Sequence, residues 1–268
     1  KEAAYGYHNM AVLDESLGKY DQAEKAMLAE RELYVGWLKK HPKDLELRFE
    51  AANIDSWLGS LSLRRGRLDQ AEEYFQAYAE NNRRNVEIEA GDARLKLRYA
   101  DSLLFLYAIQ IQRGRIKEAG SSAFDAMQIA EGLFQQDPTN SEWMMTFGQA
   151  KLNHAIASQD NAGPDLQAAE SLIYKAHKLN PKDERTADLL AKVFIAQGQS
   201  ALSQGDTDSA AQSAYDAFMV IEPKWKMQAN EDLRRRKAQI LLLQGRIALK
   251  NGNRPEAEMK LQSAVGLL

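Results

Sequence analysis

The sequence contains no cysteine, which excludes a disulfide framework, a thiolate zinc site and a cysteine nucleophile. Proline is scarce, at 6 in 268 residues, and β-branched runs are few, which argues against a sheet protein. No apolar run reaches the roughly 18 residues that mark a membrane span. Nor is there a basic excess. The net charge is −3 and the isoelectric point is near 5.9, where a nucleic-acid domain would show a surplus of lysine and arginine. The 4 histidines are His8, His41, His154 and His177; no His-x3-His or His-Glu-x2-His spacing occurs, so no metal site is expected. There is no phosphate-cradling glycine loop and no carboxylate pair set apart for acid–base work. No catalytic residue and no cofactor is therefore assigned.

What the chain does have is a repeated corner. Gly66-Arg67-Leu68-Asp69-Gln70-Ala71 lies between a helical run rich in leucine and serine and the amphipathic run 72–80. The glycine can take the left-handed conformation that closes a helix. Asp69 can cap the helix that follows, and Ala71 is small enough for a point where two helices come closest. Glycine followed five positions later by alanine recurs at Gly18/Ala23, Gly114/Ala119, Gly163/Ala168, Gly205/Ala210 and Gly252/Ala257. The glycines are 48, 48, 49, 42 and 47 residues apart. One such pair carries no information; six in near register, each between helical patterns, indicate a repeat array.

Each corner joins two amphipathic helices into an antiparallel hairpin. The hairpins are read at 1–42, 43–84, 85–138, 139–181, 182–223 and 224–268, forming one array over 1–268. Pro42, Pro138, Pro181 and Pro223 stop four of the second helices. Asn81-Asn82 marks the break after the second hairpin without a proline. The fourth corner, Ser158 to Pro164, is the longest and loosest. The fold class is all-α.

This pattern resembles the tetratricopeptide repeat (TPR) family over nearly the whole chain. In that family a second small residue lies seven positions before the corner glycine. Those positions here hold Ala11, Gly59, Tyr107, Ile156, Gly198 and Gly245. Tyr107 and Ile156 depart from it, so the middle hairpins are expected to be spread or shifted. A large residue nine positions after the glycine is met by Met27, Phe75, Leu172 and Leu261, but not by Ala123 and Ala214. Family repeats run to about 34 residues, and these are longer. The stretch from Phe134 to Trp143 is similar to long-repeat arms of bacterial multidomain signalling proteins. The resemblance implies a right-handed superhelical array, a TPR-like α-solenoid, whose first helices line a concave groove.

Positions thirteen, ten and six before each corner glycine give the groove candidates Tyr5, His8, Asn53, Ser56, Asp101, Asn153, Lys192, Gln199 and Arg246. This mix of amide, hydroxyl and charge suits an extended or helical peptide. A grip on chaperone tails is not expected, because His8 and Val12 stand where that subset needs Lys and Asn. The implied function is a non-catalytic protein–protein interaction scaffold or regulatory arm of a larger bacterial signalling protein. Its partner would be a protein or peptide, or other domains of the same chain, without direct nucleic-acid contact or membrane insertion. Two alternatives are a ligand- or partner-sensing arm of a transcription activator, and a self-association module, a homodimer for example, using the apolar end Gly266-Leu267-Leu268. The sequence opens at Lys1 and reads as cut from a longer protein. The cytoplasm is the expected compartment, or the periplasm if the parent chain spans a membrane. The run Arg234 to Lys237 reads as a solvated face, and the four tryptophans read as packing.

Overall fold

Two alternating devices divide the chain into helices. A computed structural model describes residues 2–158, 162–181, 183–227 and 230–268, with backbone alone at 224, 226 and 227. At Gly18, Gly66, Gly114, Gly205 and Gly252 φ lies between +69° and +85°, a region glycine enters without a Cβ clash. The next residue donates its N–H back across the turn, as Arg67 does to Ser62 at 2.9 Å and Arg115 to Gln110 at 2.9 Å. This bond closes the helix C-terminus in a Schellman turn. Between hairpins the device is a side-chain cap. Asp44, Asp92, Asn140, Asp183 and Asn230 accept hydrogen bonds from first-turn N–H groups, for example Asp44 from Leu47 at 3.0 Å and Asn230 from Leu233 at 2.9 Å.

The helices fall in pairs. They are α1 (Glu2–Ser16) with α2 (Tyr20–Lys40), α3 (Leu45–Arg64) with α4 (Leu68–Ile88), and α5 (Ala93–Gln112) with α6 (Ile116–Gln136). After them come α7 (Ser141–Ser158) with α8 (Gly163–Leu179), α9 (Glu184–Ser203) with α10 (Thr207–Met227), and α11 (Glu231–Lys250) with α12 (Arg254–Val265). No strand occurs among the described residues. Three local expectations are corrected. Asn81-Asn82 does not break a helix. Asn82 is buried and donates to the Tyr78 carbonyl at 3.0 Å, Arg83 and Arg84 both brace Glu80, and α4 continues to Ile88, past the boundary read at 84. Pro223 lies inside α10, at the cost of one ladder hydrogen bond, so that helix passes the boundary read at 223. Asp69 does not cap α4. It is the second residue of that helix and pairs with Arg113 instead.

The chain divides into two compact units, 1–133 and 134–268. In the first, Met27, Tyr34, Leu47, Ile54 and Leu58 form a core with Trp37 and Trp57 against it. Phe75 stacks on Phe105 at 5.4 Å. In the second, Met144, Leu152, Leu166, Ile173, Leu190 and Val193 form one cluster, and Ile195, Ile221 and Ile240 another. Full burial of each large side chain is worth roughly 1.5–3 kcal/mol.

Within a hairpin the helices meet at a small residue. A Cβ on Gly59 would lie 2.7 Å from the Phe75 ring, and one on Gly245 would lie 2.9 Å from Leu261. A Cβ on Gly198 would meet Leu243, from α11, at 2.6 Å. Ala214 thus leaves room that the next hairpin fills. In the third hairpin the sizes are exchanged: Tyr107 and Ala123 are both buried where the second hairpin has glycine and phenylalanine.

Ala23, Ala71, Ala119, Ala210 and Ala257 lie in the contact between paired helices, the place that a small residue there implies. Each is the fourth residue of its second helix, and each is fully buried, at 0% exposure. The corner proper is the glycine and the residues beside it, and the alanine lies one turn further on, in the seam between the paired helices. A Cβ on Gly198 would lie 3.3 Å from the Ala210 carbonyl, and one on Gly245 would lie 3.5 Å from the Ala257 carbonyl. The backbone of the second helix comes up against the first at these alanines. They serve packing alone and offer nothing to a partner.

The fourth hairpin corrects the repeat frame. Gly163 is not a corner glycine but the first residue of α8, and Ala168 is only half-buried. The close contact is made by Gly148, whose added Cβ would lie 2.6 Å from Ile173 and 3.3 Å from the Ala169 carbonyl. Ile156, the residue expected there, is exposed. Gly148 and Ala169 are 21 positions apart, whereas Gly59 and Ala71 are 12 apart, so this hairpin is nine residues longer on its corner side. Part of its expected corner, 159–161, lies outside the described residues.

Unit 1 adds an electrostatic clamp. Glu24 of α2 receives Arg65 at 2.6 Å and Arg67 at 2.9 Å, the residues flanking the next corner glycine, while Asp21 also pairs with Arg65. One repeat later Glu72 receives Arg113 and Arg115, and Asp69 also pairs with Arg113. On α6 the corresponding positions are Lys117 and Gly120, so the acids of the clamp are missing there.

Two outcomes test this packing. Gly59→Ala should destabilise unit 1 by roughly 1–3 kcal/mol through overpacking, whereas Gly36→Ala, with nothing within 4 Å of the new Cβ, should stabilise it by roughly 0.5–1 kcal/mol. Urea melts giving the two variants equal stability would refute the close-contact assignment. Glu72→Gln should cost roughly 2–3 kcal/mol, because it strips two arginines of a carboxylate whose own side chain is 2% exposed. The exposed neighbour Glu73→Gln serves as the control and should change little.

Candidate partner-binding surface

The corner glycines set a common frame for the first helices. In the fourth hairpin the frame is carried by Gly148, which stands where Gly59 stands in the second. Thirteen residues before the corner are Tyr5, Asn53, Asp101, Glu142, Lys192 and Gln239; six before it are Val12, Ser60, Ala108, Gln149, Gln199 and Arg246. None of these twelve side chains is buried. The set ten before the corner differs. His8 and Leu242 are exposed and Ser56 is half-buried, but Leu104, Met145 and Ile195 are in the core. Within each unit the first helices therefore present a stripe of accessible side chains, beside packed ones on α5, α7 and α9.

Asn153 does not belong to that stripe. It is buried, and the frame shift moves its place to Met145. Glu142 and Gln149, which occupy the accessible positions, were missed because Gly163 fits the corner pattern. Only the interval of four from Ala169 to Ile173 matches that from Ala71 to Phe75; the distance back to Gly148 does not, so spacing gave little sign of the shift.

In unit 1 the stripe opens on Tyr5 and His8. The His8 Nδ1 lies 3.4 Å from Oε2 of Glu30, a buried carboxylate oxygen without a hydrogen bond. Burial pushes the Glu30 carboxyl above its ordinary range, and the nearby Glu50 adds to that, while His8 opposes it. Tyr34 beside them is pushed up to about 12 by burial and by Glu50 and Glu30. Asn53 donates to Glu50 at 3.3 Å and accepts from Arg98 of α5, whose guanidinium lies 4.0 Å from the centre of the Phe49 ring. Arg98 and Phe49 thus tie α3 to α5. The Ser56 carbonyl accepts the Ser60 hydroxyl at 2.9 Å, and Asp101 is half-buried on α5.

In unit 2 Lys192 binds Asp188 at 2.8 Å, and Asp188 also takes Arg236 of α11 at 2.8 Å. Although burial pushes the Asp188 carboxyl up, the two cations hold it below its ordinary range. Gln199 and Arg246 are exposed. Much of the basic run is engaged inside the unit: Arg235 pairs with Glu231, Arg236 with Asp188, and Lys237 lies 3.9 Å over the Trp225 ring. His154 meets Asp165 at 2.8 Å and His177 meets Thr186 at 2.7 Å. Among the described residues no cluster of His, Asp and Glu could hold a metal ion, and no helix is long and apolar enough to cross a membrane.

The buried Glu30 gives a pH-dependent outcome. Its folded-state carboxyl is raised, so the stability it contributes is fully present in acid and is lost as pH rises through that raised value. Glu30→Gln removes the loss. The variant should melt with the parent below about pH 4 and above it at pH 7. Equal melting at both pH values would mean that His8 offsets the burial completely.

No protein-family model matches the sequence, and no curated protein matches it significantly. Solved structures do match. The apo form of RapI aligns with a TM-score of 0.61 at 8% identity, over 98% of this chain and 97% of its own. BtubC (BKLC) from P. vanneervenii aligns with a TM-score of 0.60 at 17% identity, over 92% and 90%. PilW, a widely conserved type IV pilus biogenesis factor, aligns with a TM-score of 0.50 at 16% identity, over 99% of both chains. At these identities the likeness is one of fold. Tandem helical hairpins, corner glycines and small residues at the helix contacts give this chain the all-α helical-repeat fold of the tetratricopeptide-repeat proteins.

Proposed function

We propose that the chain is a non-catalytic interaction scaffold that receives a peptide or partner domain along its first helices. One observation carries this reading: none of twelve positions, two on each first helix, is buried, while on α5, α7 and α9 the position ten before the corner is packed between them. A surface that repeats from hairpin to hairpin within each unit, with tyrosine, amides and both signs of charge, offers hydrogen bonds and apolar contact to an extended or helical segment. The repeat length and the stretch from Phe134 to Trp143 favour the narrower reading of a regulatory arm in a bacterial signalling protein. In that setting the partner can be another domain of the same chain.

Lys192 is a poor position for a surface test, because it supports the Asp188–Arg236 link. Asp101→Lys with Arg246→Glu probes the accessible stripe in both units. Immobilised parent protein should retain a partner from source-cell extract that this double variant loses and a Lys117→Glu control keeps. Equal retention by all three would move the interface off the first helices. Self-association is the second reading, favoured by Met10, Leu13 and Leu17, which are exposed along α1 and the turn after it. A concentration-dependent mass that Leu13→Lys abolishes would select it.

A further inference from the structure

The surface of unit 1 carries an open pocket of about 430 Å³ lined by Pro42, Lys43, Arg48, Arg84, Glu87 and Ile88. The volume lies within the range of about 300–1,000 Å³ usual for small-molecule sites. It sits where the α2–α3 connection, the first turn of α3 and the last turns of α4 come together, away from the accessible stripe.

Arg48 is the unusual member. It is 6% exposed, yet its guanidinium makes only neutral contacts: Nη2 donates to the Pro42 carbonyl and Nη1 to the Asn81 side-chain oxygen at 3.4 Å. Its Nε is buried and has no hydrogen-bond partner. Two other arginines of this unit with largely covered side chains have carboxylates, Arg65 on Glu24 and Arg113 on Glu72, whereas Arg98, whose Nε is also without a partner, is less buried and lies over the Phe49 ring. A buried charge without a counter-ion is costly. The neighbouring charges add to the imbalance. Arg84 lines the same pocket and Lys43 stands exposed at its rim, whereas Glu87, the one lining carboxylate, is engaged by Arg83. The Glu80 carboxyl, which takes Arg84 at 2.6 Å, is also bound by Arg83, and the two hold it down to about 2. Lys43, Arg48 and Arg84 thus line the pocket with Glu87, and Glu80 beside it pairs with Arg84 and acts on Arg48 without bonding it, while Pro42 and Ile88 supply an apolar wall.

We propose that this pocket binds a small organic molecule through an oxyanion, a carboxylate or a phosphate, held between Arg48 and Arg84. The guanidinium groups match planar or tetrahedral oxyanions by charge-assisted hydrogen bonds. The apolar wall receives the carbon portion.

The test uses the 268-residue chain, with inorganic phosphate, acetate and butyl phosphate as probes at fixed ionic strength against chloride. Thermal melts and calorimetry should show saturable binding of at least one probe, weakened about tenfold or more in Arg84→Gln. Butyl phosphate should bind more tightly than inorganic phosphate, or acetate should bind where phosphate does not. Arg48→Met removes the central charge together with the loop contact to Pro42, so Arg84→Gln, on an exposed residue, is the deciding variant. It should melt like the parent in chloride. An unsaturating rise in melting temperature, equal in parent and Arg84→Gln, is a general salt effect and would overturn the proposal. So would a glutamate-rich peptide that binds where none of the three probes does.

Discussion

Close approach of paired helices is the constraint on which the other features depend. Two helices joined by three residues must cross near the corner, and a side chain larger than methyl on both at that point would hold them apart. Gly59, Gly148, Gly198 and Gly245 leave space that Phe75, Ile173, Leu243 and Leu261 occupy. The third hairpin shows that the requirement is on the sum of volumes rather than on glycine itself, because Tyr107 with Ala123 replaces Gly59 with Phe75 and both remain buried. The fifth hairpin shows that the volume can also come from the next repeat, since Leu243 belongs to α11.

The two units hold neighbouring hairpins together by different chemistry. In unit 1 the corner arginines lock onto acids of the preceding second helix at an interval of 48 residues, so the clamp repeats with the fold. A clamp of this kind fixes orientation, because each carboxylate receives two arginines from either side of one glycine. Unit 2 has Gln204 and Asp206 or Asn251 and Asn253 around its corner glycines, and no arginine. There the hairpins rely on apolar clusters and on Asp188, which joins Lys192 of its own helix to Arg236 of the next pair. Burial by itself is weakly directional, whereas a doubly paired carboxylate specifies one geometry.

The helical pairs were legible because glycine is the residue that reaches φ near +70° at little cost, and five such glycines punctuate the sequence. The alanine of each pair was legible as the small residue where paired helices come closest, and Ala23, Ala119, Ala210 and Ala257 lie buried there, each the fourth residue of its helix. The fourth hairpin was not legible from the glycine signal. Gly163 occurs at a plausible interval, yet it opens α8, and the contact glycine is Gly148. The error then propagated to the surface, putting Asn153 in the stripe and leaving out Gln149. Asp69 was misread for a related reason. An acid three residues after a glycine can cap a helix or reach across to the next corner, and only Arg113 in space decides between them.

Burial within a repeat depends on the neighbour as much as on the residue. Met10, Leu58 and Leu106 occupy the same position at intervals of 48, as do Leu13, Leu61 and Ile109. All six are large and apolar, and all fit the helical pattern of a packed face. Leu58, Leu61 and Ile109 are at most 1% exposed, whereas Met10 and Leu13 are 55% and 59% exposed. Packing on α3 by α2, and on α5 by α4, accounts for the difference. Periodicity in the sequence therefore identifies a face that can be buried, and the second helix of a preceding hairpin determines whether it is. The accessible stripe follows the same rule in reverse. None of its positions is buried in any repeat, whether they carry Val12, Ala108 or Arg246.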